Sequence, residues 1–234
     1  MQVIKRLPTQ LANQIAAGEV VERPASVVRE LVDNALDAGA THITVRLLSG
    51  GVRLVSVEDN GAGIPADELP IALKRHATSK ITNLNELESV GTMGFRGEAL
   101  AAIHSVSELS LLSRTAQQDH ATRLDGRSGE LQAAARALGT TVEVKELFYS
   151  TPARRKFLKT DATELAHCVD AVRRHALSRP NVGFEIWHDG KLVEQWRSQT
   201  GNEELDRRLA DVLGADFLKK RKASIDYRTK KLWL

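Results

Sequence analysis

The chain has 234 residues, of which 42% are hydrophobic and 27% charged, a composition that excludes disordered, collagen-like and disulfide-rich proteins. Its single cysteine, Cys168, cannot form an internal disulfide and indicates core packing in a reducing compartment. No apolar run reaches the roughly 18 residues of a membrane span, and no apolar signal core follows the N-terminus, so we expect a cytoplasmic protein without a membrane partner.

The net charge of +3 is unevenly distributed, with a balance of −3 over residues 1–150 and +6 over residues 151–234. The basic residues concentrate in three clusters, at residues 154–159, 173–174 and 219–222. Each cluster is compatible with a solvated surface or with a nucleic-acid or phosphate footprint.

Apolar periodicity divides the chain into helices and strand hairpins. The first helix is predicted over residues 24–38, because Pro24 suits a first turn and Gly39 supplies a stop. The further predicted helices cover residues 67–75, 98–105, 161–178 and 204–213. The predicted strands cover residues 42–48, 52–58, 108–114, 141–146, 184–187, 192–196 and 225–234, with further strands around a variable loop in residues 115–138.

Strand hairpins interspersed with helices predict an α+β fold, a mixed sheet with helices on one face. The length corresponds to about one and a half domains. Residues 198–202 are polar and contain a glycine, which is typical of a linker. We therefore expect one domain over residues 1–200 and the start of a second over residues 201–234.

Glu30 and Asn34 lie one turn apart on the polar face of the first predicted helix. A carboxylate there can take a proton from water, and an amide oxygen beside it can bind a hard cation such as Mg²⁺. Taken alone, the pair is more typical of a solvated helix face, so it indicates a site only together with other motifs.

The turn Asp59-Asn60-Gly61-Ala62-Gly63 directly follows a predicted strand. Its alternate glycines let the backbone approach a ligand closely, and its carboxylate can accept a hydrogen bond from an exocyclic amine such as that of adenine. An ordinary glycine turn is the alternative interpretation.

A second Gly-rich segment, residues 91–100, leads into a predicted helix start. The free N–H groups and positive dipole end of such a start attract phosphate. Upstream, Thr78, Ser79 and Lys80 add two hydroxyls and an ammonium group suited to phosphates. A flexible loop with a helix cap is the alternative. The chain has no Walker-type loop, no Cys/His cluster with zinc spacing and no Gly-x-Ser-x-Gly elbow.

The order of these motifs, closed by Gly139-Thr140-Thr141 at a late strand, resembles the Bergerat ATP-binding fold of DNA gyrase B, heat-shock chaperones, histidine kinases and MutL. Three longer stretches are similar to signatures of the MutL DNA mismatch repair family. They are QIAAGEVVERP at residues 14–24, GFRGEAL at residues 94–100 and FYSTPARRKF at residues 148–157. The resemblance runs from about residue 7 to the end of the chain.

This resemblance implies a Bergerat-type α/β sandwich, with a mixed, mostly antiparallel sheet and helices on one face, and then the start of a ribosomal S5-like domain over residues 201–234. It implies that Glu30 is the general base that activates water against the γ-phosphate of ATP, that Asn34 binds Mg²⁺ and that Asp59 reads the adenine amine. The other residues it places at the nucleotide are Gly61, Gly63 and Ile64 near the base, Thr78, Ser79 and Lys80 at the phosphates, Gly94, Phe95, Arg96, Gly97, Glu98, Ala99 and Leu100 in a lid, and Thr140 or Thr141 on the adenine side.

The family also implies a switch in which ATP orders the lid and residues 12–21, and two such domains form a homodimer that clamps DNA. The switch would pass a mismatch signal from MutS to a downstream repair endonuclease or helicase, in the cytoplasm at a bacterial nucleoid. Residues 154–155 and 219–222 would then bind DNA electrostatically, without sequence preference.

The chain departs from the family pattern in several places. Ser150 stands where relatives usually have Asn, residues 90–93 differ from the commoner sequence before Gly94, and residues 115–138 look shorter than in some relatives. The family's second domain supplies a lysine to the γ-phosphate, and here we expect only the start of that domain and no C-terminal dimerisation domain. The alternative is therefore a module that binds nucleotide or DNA with little ATPase activity. Residues 148–157 and the early helix of Glu30 disfavour a histidine kinase.

Overall fold

One mixed eight-stranded sheet organises the chain in a computed structural model that describes residues 20–74, 77, 98–201, 203–214 and 216. The strands are β1 His42–Leu48, β2 Leu54–Asp59, β3 Glu108–Arg114, β4 Ala121–Asp125, β5 Leu131–Ala134, β6 Gly139–Lys145, β7 Gly183–His188 and β8 Lys191–Trp196. The described helices are α1 Pro24–Asp37, α2 Leu69–Ala72, α3 Ala99–Ser105, α4 Pro152–Arg155, α5 Asp161–Ser178 and α6 Glu204–Leu213.

The strand order is β5-β4-β3-β6-β2-β1-β7-β8. Neighbouring strands are antiparallel except β1 and β7, which are parallel because α5 lies in the chain between β6 and β7 and returns it across the sheet. The predicted fold class, a mixed and mostly antiparallel sheet with helices on one face, is confirmed.

The core lies between the sheet and the helices α1 and α5, which pack on each other and on the central strands. In β1, Ile43, Val45 and Leu47 face the core and are buried, whereas on the opposite face Thr44 is buried and Arg46 is exposed. Among the described residues, no helix is long and apolar enough to cross a membrane.

Helix α1 forms where its apolar periodicity predicts it. Its Val27, Val28, Leu31, Val32 and Ala35 are buried, and the helix begins at Pro24 and ends before Gly39, which has a φ of +75°. This leaves the polar face of α1, with Glu30 and Asn34, half-buried beside the core.

For two predicted elements, the structure shows why the boundary differs. Strand β2 begins at Leu54 instead of residue 52, because Ser49–Gly51 form a 3₁₀ turn whose residues have φ values of 50°, 63° and 93°. A Cβ added at Gly50 would lie 2.5 Å from the carbonyl oxygen of Asp161, so the start of α5 packs directly on this turn. The helix predicted over residues 67–75 is only Leu69–Ala72, since Lys74 N–H bonds back three residues to Ile71 in a closing turn.

The polar segment before α6 is hydrogen-bonded to the residues that precede β7. Gln199 N–H donates to the carbonyl of Pro180 at 2.8 Å, and the Gln199 side chain donates to Asp211 in α6 at 2.9 Å. Helix α6 packs against α5 and β8. The domain boundary at residue 200 stays a prediction, and the strand predicted over residues 225–234 lies outside the described residues.

Candidate functional site

The Asp59 carboxylate lies at the end of β2, on the sheet face that the helices cover. Asp59 is paired with the buried Ile43 of β1, and only 8% of its surface is exposed. Its Oδ1 atom accepts hydrogen bonds from the backbone N–H of Gly61 at 2.8 Å and of Thr140 at 3.3 Å. Burial raises the pKa of Asp59, and these two donors and the charge of Arg136 oppose that rise. Two fixed donors on one oxygen set the direction of this carboxylate.

A buried hydroxyl pair extends the site from β6 to β3. The Ser113 hydroxyl lies 2.9 Å from that of Thr140, and it accepts a hydrogen bond from the backbone N–H of Ile64 at 2.7 Å. Ser113 also donates to the carbonyl of Gly139 at 3.1 Å. Three predicted site residues, Asp59, Ile64 and Thr140, are therefore brought together. Ser113 was missed because a serine in a strand carries no motif.

The glycines of the turn are required by neighbouring backbone. A Cβ added at Gly61 would lie 2.7 Å from the carbonyl oxygen of Ala38. Gly63 has a φ of +79°, and its added Cβ would overlap the carbonyl of Arg114. The turn therefore packs between the end of α1 and the end of β3, and approach of these glycines to a ligand stays a prediction.

The turn is also tied to the start of β1. Asn60 Oδ1 accepts hydrogen bonds from the backbone N–H groups of Thr41 and His42, both at 2.9 Å. The Asn60 amide donates in turn to the Thr41 hydroxyl at 2.9 Å. These bonds fix the path of the chain after Asp59.

Thr140 and Thr141 occupy opposite faces of β6. Thr140 is buried on the side of Asp59, whereas Thr141 pairs with the exposed Glu58 of β2 and lies on the uncovered face. The Thr141 hydroxyl accepts a hydrogen bond from Arg136 Nε at 3.0 Å. Of the two threonines predicted on the adenine side, Thr140 therefore contacts the Asp59 carboxylate and Thr141 does not share its face.

Helix α1 connects the turn after Asp59 with the polar residues Glu30 and Asn34. Ala62 N–H donates to the carbonyl of Ala38 at 2.9 Å, and Ala38 N–H donates to that of Asn34 at 3.0 Å. From Ala38 to Glu30 the helix axis rises by about 12 Å. The Glu30 side chain is 21% exposed and lies 3.0 Å from Arg29, a surface ion pair of low energy. The carboxylate and amide thus lie along the helix that leads away from Asp59.

The second predicted phosphate element is only partly described. Glu98, Ala99 and Leu100 are half-buried at the start of α3, where Ala102 N–H donates to the carbonyl of Glu98 at 2.8 Å. Seven predicted site residues lie outside the described residues: Thr78, Ser79, Lys80, Gly94, Phe95, Arg96 and Gly97.

The basic clusters have different surroundings. Arg173 lies 3.2 Å from Glu194, and Arg174 lies 2.7 Å from Asp170, so this cluster is matched by carboxylates of the same chain. At residues 154–159, Lys156 and Lys159 are exposed. The cluster at residues 219–222 lies outside the described residues.

Comparison with known proteins identifies relatives of this arrangement. Residues 22–148 match the family model described as histidine kinase-, DNA gyrase B-, and HSP90-like ATPase. The chain is similar to DNA mismatch repair protein MutL of Ralstonia nicotianae, with 58% identity over 93% of this chain and 34% of that protein. It is 54% identical to that of Histophilus somni, over 92% of this chain and 36% of the other. The chain thus spans about a third of these relatives' length.

Solved structures agree with these relatives. The Aquifex aeolicus MutL ATPase domain complexed with ADP matches with a TM-score of 0.66 and 31% identity, over 83% of this chain and 70% of that one. The N-terminal domain of a DNA repair protein matches with a TM-score of 0.70 and 28% identity, over 87% of this chain and 60% of that one.

Proposed function

Because this chain belongs to the MutL family of histidine kinase-, DNA gyrase B- and HSP90-like ATPases, we propose that it binds ATP at the Asp59 site and hydrolyses it with Mg²⁺. The observation that carries this proposal is the buried Asp59 carboxylate, whose Oδ1 is held by two backbone N–H groups. Oδ2 is then the oxygen that we expect to accept a hydrogen bond from the adenine amine.

At the other end of the nucleotide, Glu30 would act as the general base. The Glu30 carboxyl group, half-buried on the polar face of α1, can accept the proton of a water molecule that attacks the γ-phosphate. The proton moves to a Glu30 oxygen as the new oxygen–phosphorus bond forms, and ADP leaves with the electrons of the broken bond. Positioning of this water is the main contribution of α1 to the reaction.

Asn34 is the residue that would hold Mg²⁺ at the phosphates. Its amide oxygen is a hard donor one turn from Glu30, and the described residues contain no group of three acidic, His or Cys side chains able to hold a metal alone. Phosphate oxygens and water would therefore complete the shell. When bound, the cation would neutralise charge that develops on the phosphates.

The remaining contacts are proposed from the family resemblance. Thr78, Ser79 and Lys80 would meet the phosphates, and residues 94–100 would cover them. The structure supports a cover formed by residues 94–100 only at its end, where Glu98 and Ala99 begin α3, which packs against β3.

Asp59→Asn tests the adenine contact. The Asn side chain keeps an oxygen for the N–H groups of Gly61 and Thr140, but it presents an NH₂ group to the adenine amine, so a donor faces a donor. We expect ADP affinity to fall about 10- to 100-fold by calorimetry, the value of one hydrogen bond to a charged group. Glu58→Gln, at the exposed neighbour on the other sheet face, is the control. Unchanged ADP affinity in Asp59→Asn would exclude the proposed site.

The wider role in mismatch repair is proposed from the relatives, since the chain spans about a third of their length. Nucleotide would favour a homodimer that clamps DNA and relays the signal of MutS to a downstream repair endonuclease or helicase. Light scattering with a non-hydrolysable ATP analogue should report a doubled mass, and a constant mass would count against the switch. The rival proposal, a binding module with little ATPase activity, predicts that extension of the chain by about 100 residues restores turnover.

One surface among the described residues, at residues 156–159, supports DNA binding. In the segment that follows β6, Lys156 and Lys159 are exposed, and the ring of Phe157 between them is 80% exposed. A basic surface with an open aromatic ring suits a nucleic acid, which offers phosphates and base faces. Arg155 is partly matched by Glu146 at 3.3 Å, so the lysines are the better contacts. Affinity for DNA should fall with added salt, and less steeply in the double lysine-to-glutamine variant.

A further inference from the structure

Arg136 lies beside the Asp59 site, in the segment between β5 and β6. Its guanidinium donates three hydrogen bonds, from Nη2 to the backbone carbonyl of Asp59 at 2.7 Å, from Nε to the Thr141 hydroxyl at 3.0 Å and from Nη1 to the carbonyl of Ala137 at 3.1 Å. Arg114 holds the Arg136 backbone in turn, by donating to its carbonyl at 3.3 Å. The side chain is thus fixed in one position at the end of β2.

At Asp59, hydrogen bonds from or to side chains replace the backbone hydrogen bonds that join β2 to β6. The last residue pair between β2 and β6 is Glu58 with Thr141. One step further, Thr140 N–H donates to the Asp59 side chain, and the Asp59 carbonyl accepts from Arg136. That carbonyl points towards β6, since a Cβ added at Gly139 would overlap it. The orientation of the Asp59 peptide therefore depends on Arg136.

We propose that Arg136 is a positioning residue that orients the Asp59 peptide and thereby sets the preference of the site for adenine. The inference rests on the proposed nucleotide site. Arg136 donates directly to the Asp59 carbonyl and also to the Thr141 hydroxyl on the uncovered face of the sheet, so it acts on the base only through Asp59. Its charge also opposes the rise in the pKa of the buried carboxyl, which favours the ionised, acceptor-only form.

The hydrogen bonds to Thr141 and to Asp59 require the planar guanidinium group of an arginine. The Nε and Nη2 atoms of one guanidinium donate to two different strands, to Thr141 on β6 and to Asp59 on β2. A lysine has a single ammonium group on a flexible stem and cannot hold both acceptors in one plane. The role therefore needs the shape of arginine as well as its charge.

The test compares ADP with purine riboside diphosphate, which lacks the exocyclic amine that Asp59 would bind. The measured quantity is the ratio of the two affinities, determined by calorimetry on the same protein sample. A loss of folded protein lowers both affinities equally and cancels from the ratio, so a merely structural role leaves the ratio unchanged. Arg123→Gln, an exposed arginine on β4 that lies 3.8 Å from Glu143, is the matched control.

We expect Arg136→Gln and Arg136→Lys each to lower the preference for ADP about tenfold, equivalent to about 1.4 kcal/mol. In an Asp59→Asn background, Arg136→Gln should leave the ratio unchanged, because both residues act through one contact. A wild-type ratio in either single variant, or additive effects in the double variant, would overturn the inference. A wild-type chain that does not bind ADP would overturn the proposed function itself.

Discussion

Arg208 provides a direct test of how α6 is attached to the rest of the chain. Its side chain is fully buried although it is charged, and Nη2 lies 2.6 Å from the carbonyl of Val182, 2.9 Å from that of Pro180 and 3.0 Å from that of Arg197. These carbonyls come from the segments before β7 and after β8. Arg208→Leu removes the donor and keeps apolar volume.

The expected cost follows from this geometry. One NH₂ group has two hydrogens, so its three acceptors count as about two hydrogen bonds, each worth about 1.5–3 kcal/mol when a partner is charged. Part of this gain is offset by the desolvation of the guanidinium, and we expect Arg208→Leu to destabilise the docked helix by about 2–4 kcal/mol. The opening equilibrium of α6 would then rise about 30- to 700-fold.

Native-state hydrogen exchange measures this opening residue by residue. In Arg208→Leu, amides of α6 should exchange faster by that factor, while amides of β1 and β2 in the centre of the sheet change much less. Arg207→Leu is the matched control, because the neighbouring side chain is 58% exposed and its ion pair with Glu203 is 4.0 Å long. Equal acceleration of exchange in α6 and in β1 would mean that α6 opens only when the sheet unfolds as well. Unchanged exchange in α6 would refute the role of Arg208.

Four further predictions follow from the described contacts. Glu30→Ala should lower ATP turnover about 10²- to 10⁴-fold yet keep ATP affinity, and an equal loss of both in turnover and binding assays would refute the general-base role. Burial raises the pKa of Cys168 to about 12, so at pH 8 its thiolate should be about a thousandfold scarcer than at a pKa of 9.0, and rapid labelling of the folded chain by a thiol reagent would contradict this. Gly61→Ala should lower the free energy of unfolding by about 1–3 kcal/mol in urea titrations, because its Cβ would lie 2.7 Å from the Ala38 carbonyl, and wild-type stability would show that the turn can relax. Since the pKa of Asp59 is raised and the ionised form is the one that we propose to bind the amine, ADP affinity should fall as the pH falls through that pKa, a dependence that Asp59→Asn should lack.

Much of the fold could be predicted because its elements have strong periodic patterns. The helix over residues 161–178 and the strands His42–Leu48 and Glu108–Arg114 were predicted to the residue, since each alternates or repeats cleanly between apolar and polar positions. The start of β2 was not predictable, because the turn before it is set by the distant Asp161 backbone.

Some residues of the candidate site could also be predicted from the sequence, and others could not. Glu30, Asn34 and Asp59 belong to motifs whose order in the chain resembles that of the MutL family, and this resemblance assigns their expected roles. Ser113 and Arg136 belong to no motif, and their importance depends on β3, β6 and β2 lying side by side, which is a tertiary fact. A sequence pattern identifies the groups that would touch the ligand more readily than the groups that hold them.

The end of β2 explains how the Asp59 carboxylate can be kept buried at the proposed nucleotide site. An ordinary strand end would pair both backbone groups of Asp59 with β6, whereas here the carboxylate takes the Thr140 N–H and Arg136 takes the Asp59 carbonyl. Burial raises the pKa of Asp59, so its ionised form costs stability at neutral pH, and that stability is regained as the pH falls below the raised value. Asp59→Asn should therefore leave the free chain as stable as wild type or more stable while it weakens ADP binding. Opposite signs for stability and affinity distinguish a residue kept for recognition from one kept for folding.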